Sequence, residues 1–119
     1  MENEKLDFNG YQKQAYSLIS EDGKKDMVLN GVLGLAGESG ECCDIVKKVR
    51  FQGHEMDNRH LMEELGDVLW YVAETASGLG VTLEEVAQFN LDKLHSRYHG
   101  ETFHAVDSVN RPEYQKKEK

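Results

Sequence analysis

The chain has 119 residues and a formal net charge of -8, with 39% hydrophobic residues, 30% charged residues and a single proline. These values predict one globular domain and exclude a disordered, fibrous or collagen-like chain. The acidic balance disfavours binding to a nucleic-acid polymer or to an anionic membrane surface. We expect a cytoplasmic protein, because no apolar stretch could span a membrane and the N-terminal residues lack the apolar core of a signal peptide.

Apolar residues recur at helical spacing in four segments, and no alternating run predicts a strand, so we expect an all-α fold of about four main helices. The first helix is predicted from about Asn9, as its N-cap, to Ser20. The second is predicted from Asp26 to Arg50. Glycines recur at every third position of this second segment: Gly31, Gly34, Gly37 and Gly40.

These glycines leave a loop as the alternative interpretation, because each costs about 1 kcal/mol relative to alanine inside a helix. We favour a helix, since the apolar residues continue in phase across the glycines. Small residues would also let another backbone or a ligand approach closely.

The third helix is predicted from about Arg59 to Ser77, ended by the glycines at positions 78 and 80. The fourth is predicted to begin with a capping box formed by Thr82 and Glu85 and to continue to about Tyr98. The polar segment 51–58 is expected to be a mobile flap. The pattern fades beyond residue 100, so we divide the chain into a folded domain at residues 1–106 and a polar C-terminal tail at residues 107–119.

Two pairs of acidic residues lie three positions apart on the second and third helices: Glu38 with Glu41, and Glu64 with Asp67. At the helical period, Glu38 and Glu64 fall on the apolar faces of their helices, with Asp67 at the edge. Carboxylates seldom occupy such positions unless they are paired or bind a metal. Two of them about 4 Å apart repel by about 4 kcal/mol at a protein-like dielectric, and Mg²⁺ would relieve that repulsion.

Two alternatives remain open for these carboxylates. Acidic residues at helical spacing often form a solvated helix face, and this interpretation suits Glu84 and Glu85. A di-iron carboxylate bundle also directs glutamates inward, but it draws imidazole ligands from Glu-x-x-His motifs, and neither acidic pair contains a histidine. Iron or manganese redox chemistry is therefore the weaker hypothesis.

The sequence closely resembles the MazG-like nucleotide pyrophosphohydrolases, which belong to the all-α NTP pyrophosphatase superfamily. Their pattern is Glu-x-x-Glu, a variable spacer and then Glu-x-x-Asp, and both halves occur here in order. Five segments carry the resemblance, which extends from about residue 11 to residue 103: 34–41 (GLAGESGE), 47–48 (KK), 63–71 (EELGDVLWY), 83–87 (LEEVA) and 90–98 (NLDKLHSRY).

By this resemblance, Glu38, Glu41, Glu64 and Asp67 are the ligands of Mg²⁺, for which Mn²⁺ could substitute. Among the catalytic residues, Glu41 is our first candidate for the base that accepts the proton of an attacking water, ahead of Glu38. The resemblance implies cleavage of a nucleoside triphosphate to the monophosphate and pyrophosphate by a helical bundle completed as a homodimer or homotetramer. The alternatives are a dedicated dUTPase, a phosphoribosyl-ATP pyrophosphohydrolase, or a protein that binds magnesium nucleotide without turnover.

Cationic and polar residues at helical spacing supply candidates for contacts with the substrate. The candidates are Asn90, Lys93, Arg97, Tyr71 and Lys48. The first three share one face of the fourth helix and could hold phosphate oxygens or sugar hydroxyls, although a solvated basic face is the alternative for the lysines. Trp70 lies outside the main apolar stripe, so we expect it at a contact between subunits.

Overall fold

A computed structural model of the protein describes residues 5–98 and 102–111, and every regular element in these residues is a helix, as predicted. The helices are α1 (Phe8–Ser17), α2 (Glu21–Lys24), α3 (Met27–Phe51), α4 (Asn58–Leu79), α5 (Leu83–Tyr98) and α6 (Ala105–Val109). None of those described is long and apolar enough to cross a membrane. The chain divides into two compact units, one ending at Leu83 and the other beginning at Glu84.

The start of α1 differs from the sequence prediction. Asp7 is the N-cap in place of Asn9, because its Oδ1 accepts a hydrogen bond of 2.7 Å from the Gly10 backbone N–H. The helix then ends at Ser17. A separate short helix, α2, follows where the prediction had only a turn, and the Ser20 hydroxyl caps it by accepting from the Gly23 N–H.

The glycine-rich segment forms one continuous helix, α3, which packs mainly along α4. Asp26 is the N-cap of α3, which agrees with the predicted start of this helix. Two of the glycines allow the helices to approach closely. A Cβ at Gly31 would lie 3.0 Å from the Thr75 backbone nitrogen, and a Cβ at Gly34 would overlap the ring of Tyr71. The contact between these helices therefore fixes which residues of α3 and α4 lie opposite each other.

The core of the first unit lies where α1 meets the second half of α4. It contains Ala15, Ala73 and Leu83, which are all buried. Trp70 packs against this cluster and is only partly buried, so its expected place at a subunit contact stays a prediction. The contact with the core was not predicted, because the apolar stripe of one helix does not show where α1 will lie.

Gln12 links α1 by hydrogen bonds to the end of α4 and to the residues that follow it. Its Nε2 donates to the Val81 carbonyl at 3.0 Å and to Ser77 Oγ at 3.1 Å, and its Oε1 accepts from the Leu83 N–H at 2.7 Å. α4 ends at Gly80, whose φ of 74° lies in the left-handed region that favours glycine. These contacts hold the N-terminal helix against the half of α4 that follows the acidic pair.

In the second unit, the predicted helix to Tyr98 is present as α5, and α6 was not predicted. The helix α6 includes residues on both sides of the boundary that we drew between residues 106 and 107. The division into a domain and a tail stays a prediction. The tail beyond residue 111 lies outside the described residues.

Candidate metal centre

Three of the four predicted metal ligands converge between α3 and α4. The side chains of Glu38, Glu64 and Asp67 each offer a carboxylate oxygen, and these atoms all lie within 4.8 Å of one another. Glu38 and Glu64 are half-buried, whereas Asp67 is exposed. The cluster therefore lies at the edge of the helix pair, where a ligand has access.

The packing of α3 on α4 explains this convergence. Gly34 receives the ring of Tyr71, and one helical turn away from that contact on each helix lie Glu38 and Asp67. Beside these carboxylates the backbone is open, because Gly37 and Gly66 have no neighbour within 4 Å of where a Cβ would be. The same glycine-rich sequence thus supplies a close helix contact and an uncovered surface next to it.

The carboxylates of the cluster perturb one another. The pKa of Glu38 is raised to about 7, chiefly by a hydrogen bond with Glu64 and next by burial, with smaller contributions from the charges of Asp67, Glu64 and Glu41. Near neutral pH, Glu38 therefore retains its proton in part of the molecules. A divalent cation would remove this repulsion and displace the proton, and a set made only of carboxylate oxygens suits Mg²⁺ or Mn²⁺.

The fourth predicted ligand, Glu41, is exposed and lies outside the group of three whose oxygens converge. It lines a hollow of about 440 Å³ formed by the end of α3, the start of α4 and the segment between them. This polar hollow is lined by four carboxylates, Glu41, Asp44, Glu55 and Asp57, and by three basic side chains, Lys48, His54 and His60. The charge of Glu41 contributes to the raised pKa of Glu38, so Glu41 lies within electrostatic range of the cluster.

Lys48, a predicted substrate contact, lies in the polar hollow and is held there by an acidic neighbour. Its Nζ lies 2.7 Å from Oδ2 of Asp44, four residues earlier on α3. This contact raises the pKa of Lys48 and lowers that of Asp44. Lys48 is thus a fixed positive charge on the same side of the cluster as Glu41.

Two residues near the cluster were not found from the sequence. His60 Nε2 lies 3.5 Å from Oε1 of Glu64, whose side chain is only 16% exposed. The four-residue spacing on α4 was a signal for this contact. The pKa of Tyr11 is raised by burial and then by the charge of Asp67. Tyr11 comes from α1, and nothing in its spacing indicated the acidic cluster.

A comparison with protein families identifies the family of the chain. The model of the MazG nucleotide pyrophosphohydrolase domain matches residues 29–110, which is more than half of the chain. The chain belongs to the MazG nucleotide pyrophosphohydrolase family. The match includes all four acidic residues and continues through α5.

The MazG domain of this chain also resembles the gene 37 protein of Mycobacterium phage L5. The two are 48% identical over 69 residues, which cover 55% of this chain and 60% of the phage protein. The chain thus matches less than two thirds of that relative's length, and the relative's name states no activity. No solved structure matches the chain.

The remaining predicted substrate contacts of the MazG domain fall in different places. Asn90 and Lys93 are exposed and Arg97 is half-buried, and all three belong to the second unit. Tyr71 belongs to the first unit, where its ring lies over Gly34 and meets the Trp70 ring edge-on, with centroids 5.1 Å apart. Tyr71 is therefore fixed one turn from the carboxylate cluster.

Proposed function

We propose that this MazG-family protein hydrolyses nucleoside triphosphates to nucleoside monophosphates and pyrophosphate, using Mg²⁺ held by Glu38, Glu64 and Asp67 together with Glu41. The supporting observation is the convergence of three carboxylates beside an open stretch of backbone. Mn²⁺ would bind the same oxygen donors.

The chemistry divides between the bound ion and the side chains. When bound, Mg²⁺ would offset the charge of the triphosphate, polarise the α-phosphorus and lower the pKa of a water. Glu41 is the proposed general base, because its carboxylate lies outside the convergent group yet within electrostatic range of it. Glu38 is the second candidate, because its carboxylate belongs to the convergent group that would hold the ion and its bound water.

The proposed substrate contacts are Lys48, Tyr71, Asn90, Lys93 and Arg97. Lys48 lines the polar hollow beside Glu41, where its ammonium would exchange its contact with Asp44 for one with the leaving pyrophosphate. Tyr71 lies one turn from the metal ligands and would contact the nucleoside. The proposed contacts of Asn90, Lys93 and Arg97 with the substrate are supported by their common face on α5 and by the family match.

We also propose that the protein acts as a homodimer or homotetramer in the cytoplasm. The support for self-association is the number of large apolar side chains exposed on α3 and α4, which would otherwise face water. They include Leu29, Val32, Leu33, Val46, Met62 and Leu65. The cytoplasmic location rests on the sequence prediction alone.

The substitution Glu38→Gln tests the role of the cluster. It preserves the size of the side chain but removes one charged ligand, so we expect magnesium-dependent release of pyrophosphate to fall about 100-fold or more. Binding of Mn²⁺ to the free protein should weaken in parallel, as measured by electron paramagnetic resonance. The matched control is Glu63→Gln, which changes an exposed neighbour whose partner is Arg59. Unaltered activity and Mn²⁺ binding in Glu38→Gln would contradict the proposal.

A further inference from the structure

His60 on α4 links the polar hollow to the carboxylate cluster. Its Nε2 lies 3.5 Å from Oε1 of Glu64, and His60 is one of the residues that line the hollow. The Glu64 side chain is 16% exposed and belongs to the convergent group, whereas the His60 side chain is 52% exposed. The contact therefore joins an accessible ring to a half-buried carboxylate that we propose as a metal ligand.

The first turn of α4 holds His60 in this position. Its backbone N–H donates to Oδ1 of the N-cap Asp57 at 3.2 Å, and the helix begins at Asn58. Residues four positions apart on a helix lie on one face, so the helix itself brings the ring to Glu64. The position of the ring is thus set by regular structure.

Glu64 contacts several groups at once. Besides its contact with His60, it forms a hydrogen bond with Glu38, and one of its oxygens converges with those of Glu38 and Asp67. A carboxylate has two oxygens and about four acceptor sites, so it can bind an imidazole N–H and a cation together. A donor that holds one oxygen also limits rotation of the carboxylate. Loss of such a contact to a metal ligand typically lowers metal affinity by about 10- to 100-fold.

We propose that His60 is a positioning residue of the metal centre, in which the Nε2–H of its ring donates to Glu64 and orients that carboxylate toward the ion. This inference rests on the proposed function, because it takes the cluster to be the site of Mg²⁺. The separation of 3.5 Å exceeds the usual N–H···O distance of about 2.9 Å, and the exposed ring has room to close it as Glu64 turns to the ion. In this role His60 touches neither the ion nor the nucleotide.

Arg59 and Glu63 provide a matched control one residue earlier on the same helix. They have the same four-residue spacing, with Arg59 Nε 3.8 Å from Glu63 Oε1, and Glu63 lies outside the convergent group. Loss of either basic side chain removes a comparable contact from the surface of α4. A difference in metal binding between the two variants therefore reports on the cluster.

Electron paramagnetic resonance of Mn²⁺, titrated into the full chain without nucleotide, measures the affinity of the centre. We expect His60→Ala to weaken Mn²⁺ binding by about 10-fold, the lower end of the usual range, because water competes for this exposed contact. Arg59→Ala should change the affinity by less than about 3-fold at about 0.15 M salt, which screens the lost charge. His60→Gln should bring the affinity back to within about 3-fold of the wild-type value, since its amide can donate to a carboxylate four residues later. Circular dichroism verifies that each variant is folded.

A second measurement separates positioning from a direct part in the reaction. In His60→Ala, the Mg²⁺ concentration that gives half-maximal pyrophosphate release should rise by about 10-fold. At saturating Mg²⁺, kcat and the KM for nucleotide should stay within about 3-fold of their wild-type values, because the ring contacts neither the substrate nor the reacting atoms.

Four results would overturn the inference: an unaltered Mn²⁺ affinity in His60→Ala, an equal loss in Arg59→Ala, no recovery in His60→Gln, and a tenfold loss of kcat that saturating Mg²⁺ does not correct. A protein that binds Mn²⁺ through this contact but cleaves no nucleotide would support the positioning role and contradict the proposed activity. If the wild-type protein bound no Mn²⁺, both would fail.

Discussion

The most deeply buried polar group of the described chain is the carboxylate of Glu74 on α4, which is 1% exposed. Both of its oxygens accept hydrogen bonds from the side-chain amide of Asn30 on α3, at 3.0 Å and 2.8 Å. Asn30 is itself exposed, so Asn30→Ala would remove this donor and admit water to the carboxylate. We expect this change to destabilise the fold while leaving the metal ligands in place.

The size of the effect follows from these contacts. Hydrogen bonds to a charged group contribute about 1.5–3 kcal/mol, and water that enters beside the exposed position 30 would replace part of this contact, so the cost lies below the upper end of that range. Alanine is the better helix former by about 0.5 kcal/mol, which offsets part of the loss. We therefore expect the free energy of unfolding to fall by about 1.5 kcal/mol, which lowers Tm by about 6 °C in a domain of this size.

Urea and thermal unfolding followed by circular dichroism measure this change. The control is Asn58→Ala, which makes the same substitution at an exposed position in the first turn of α4. Asn30→Ala should cost less than about 1 kcal/mol in a Glu74→Gln background, because no charge is then left unpaired. A loss below about 0.5 kcal/mol for Asn30→Ala in the wild-type background would refute the reasoning.

Three further outcomes follow from the helix contact and the cluster. Gly34→Ala should lower the free energy of unfolding by about 1–3 kcal/mol, because the new methyl group would overlap the ring of Tyr71, and denaturant titration measures this. Gly37→Ala should raise it by about 0.5–1 kcal/mol in the same titration, since its Cβ would meet nothing within 4 Å. The metal-free protein should become less stable as the pH rises from 4.5, the ordinary pKa of Glu38, to about 7, its pKa in the fold. The folded state holds that proton more tightly than the unfolded chain, so Glu38→Gln should flatten this part of the stability profile, and an unchanged slope would argue against the raised pKa.

The long helices and the central carboxylates could be predicted because their signals are local. Asp26 begins α3 and Gly80 ends α4 by capping rules that depend on a few neighbouring residues. Glu38 and Glu64 stood out because a carboxylate on an apolar face needs a partner or a cation. The structure brings both together with Asp67, although their role as metal ligands stays a proposal.

What the sequence did not reveal depends on contacts between distant elements or on elements too short to show a period. α2 and α6 have four and five residues, which is less than two helical turns. The hydrogen-bond donor to the buried Glu74 lies 44 positions away in the sequence, and the position of Tyr11 near Asp67 depends on how α1 packs. Glu41 shows the limit of helical spacing, because an interval of three residues places side chains on one face without making their oxygens converge.

The central claim is that the carboxylate cluster supports cleavage between the α- and β-phosphates of a nucleoside triphosphate. The most direct test incubates the wild-type protein with Mg²⁺ and a panel of nucleoside triphosphates in ¹⁸O-labelled water and separates the products by mass spectrometry. We predict nucleoside monophosphate carrying the label together with unlabelled pyrophosphate, with no reaction when Mg²⁺ is removed. Formation of nucleoside diphosphate and inorganic phosphate, or no turnover of any nucleotide, would contradict the account.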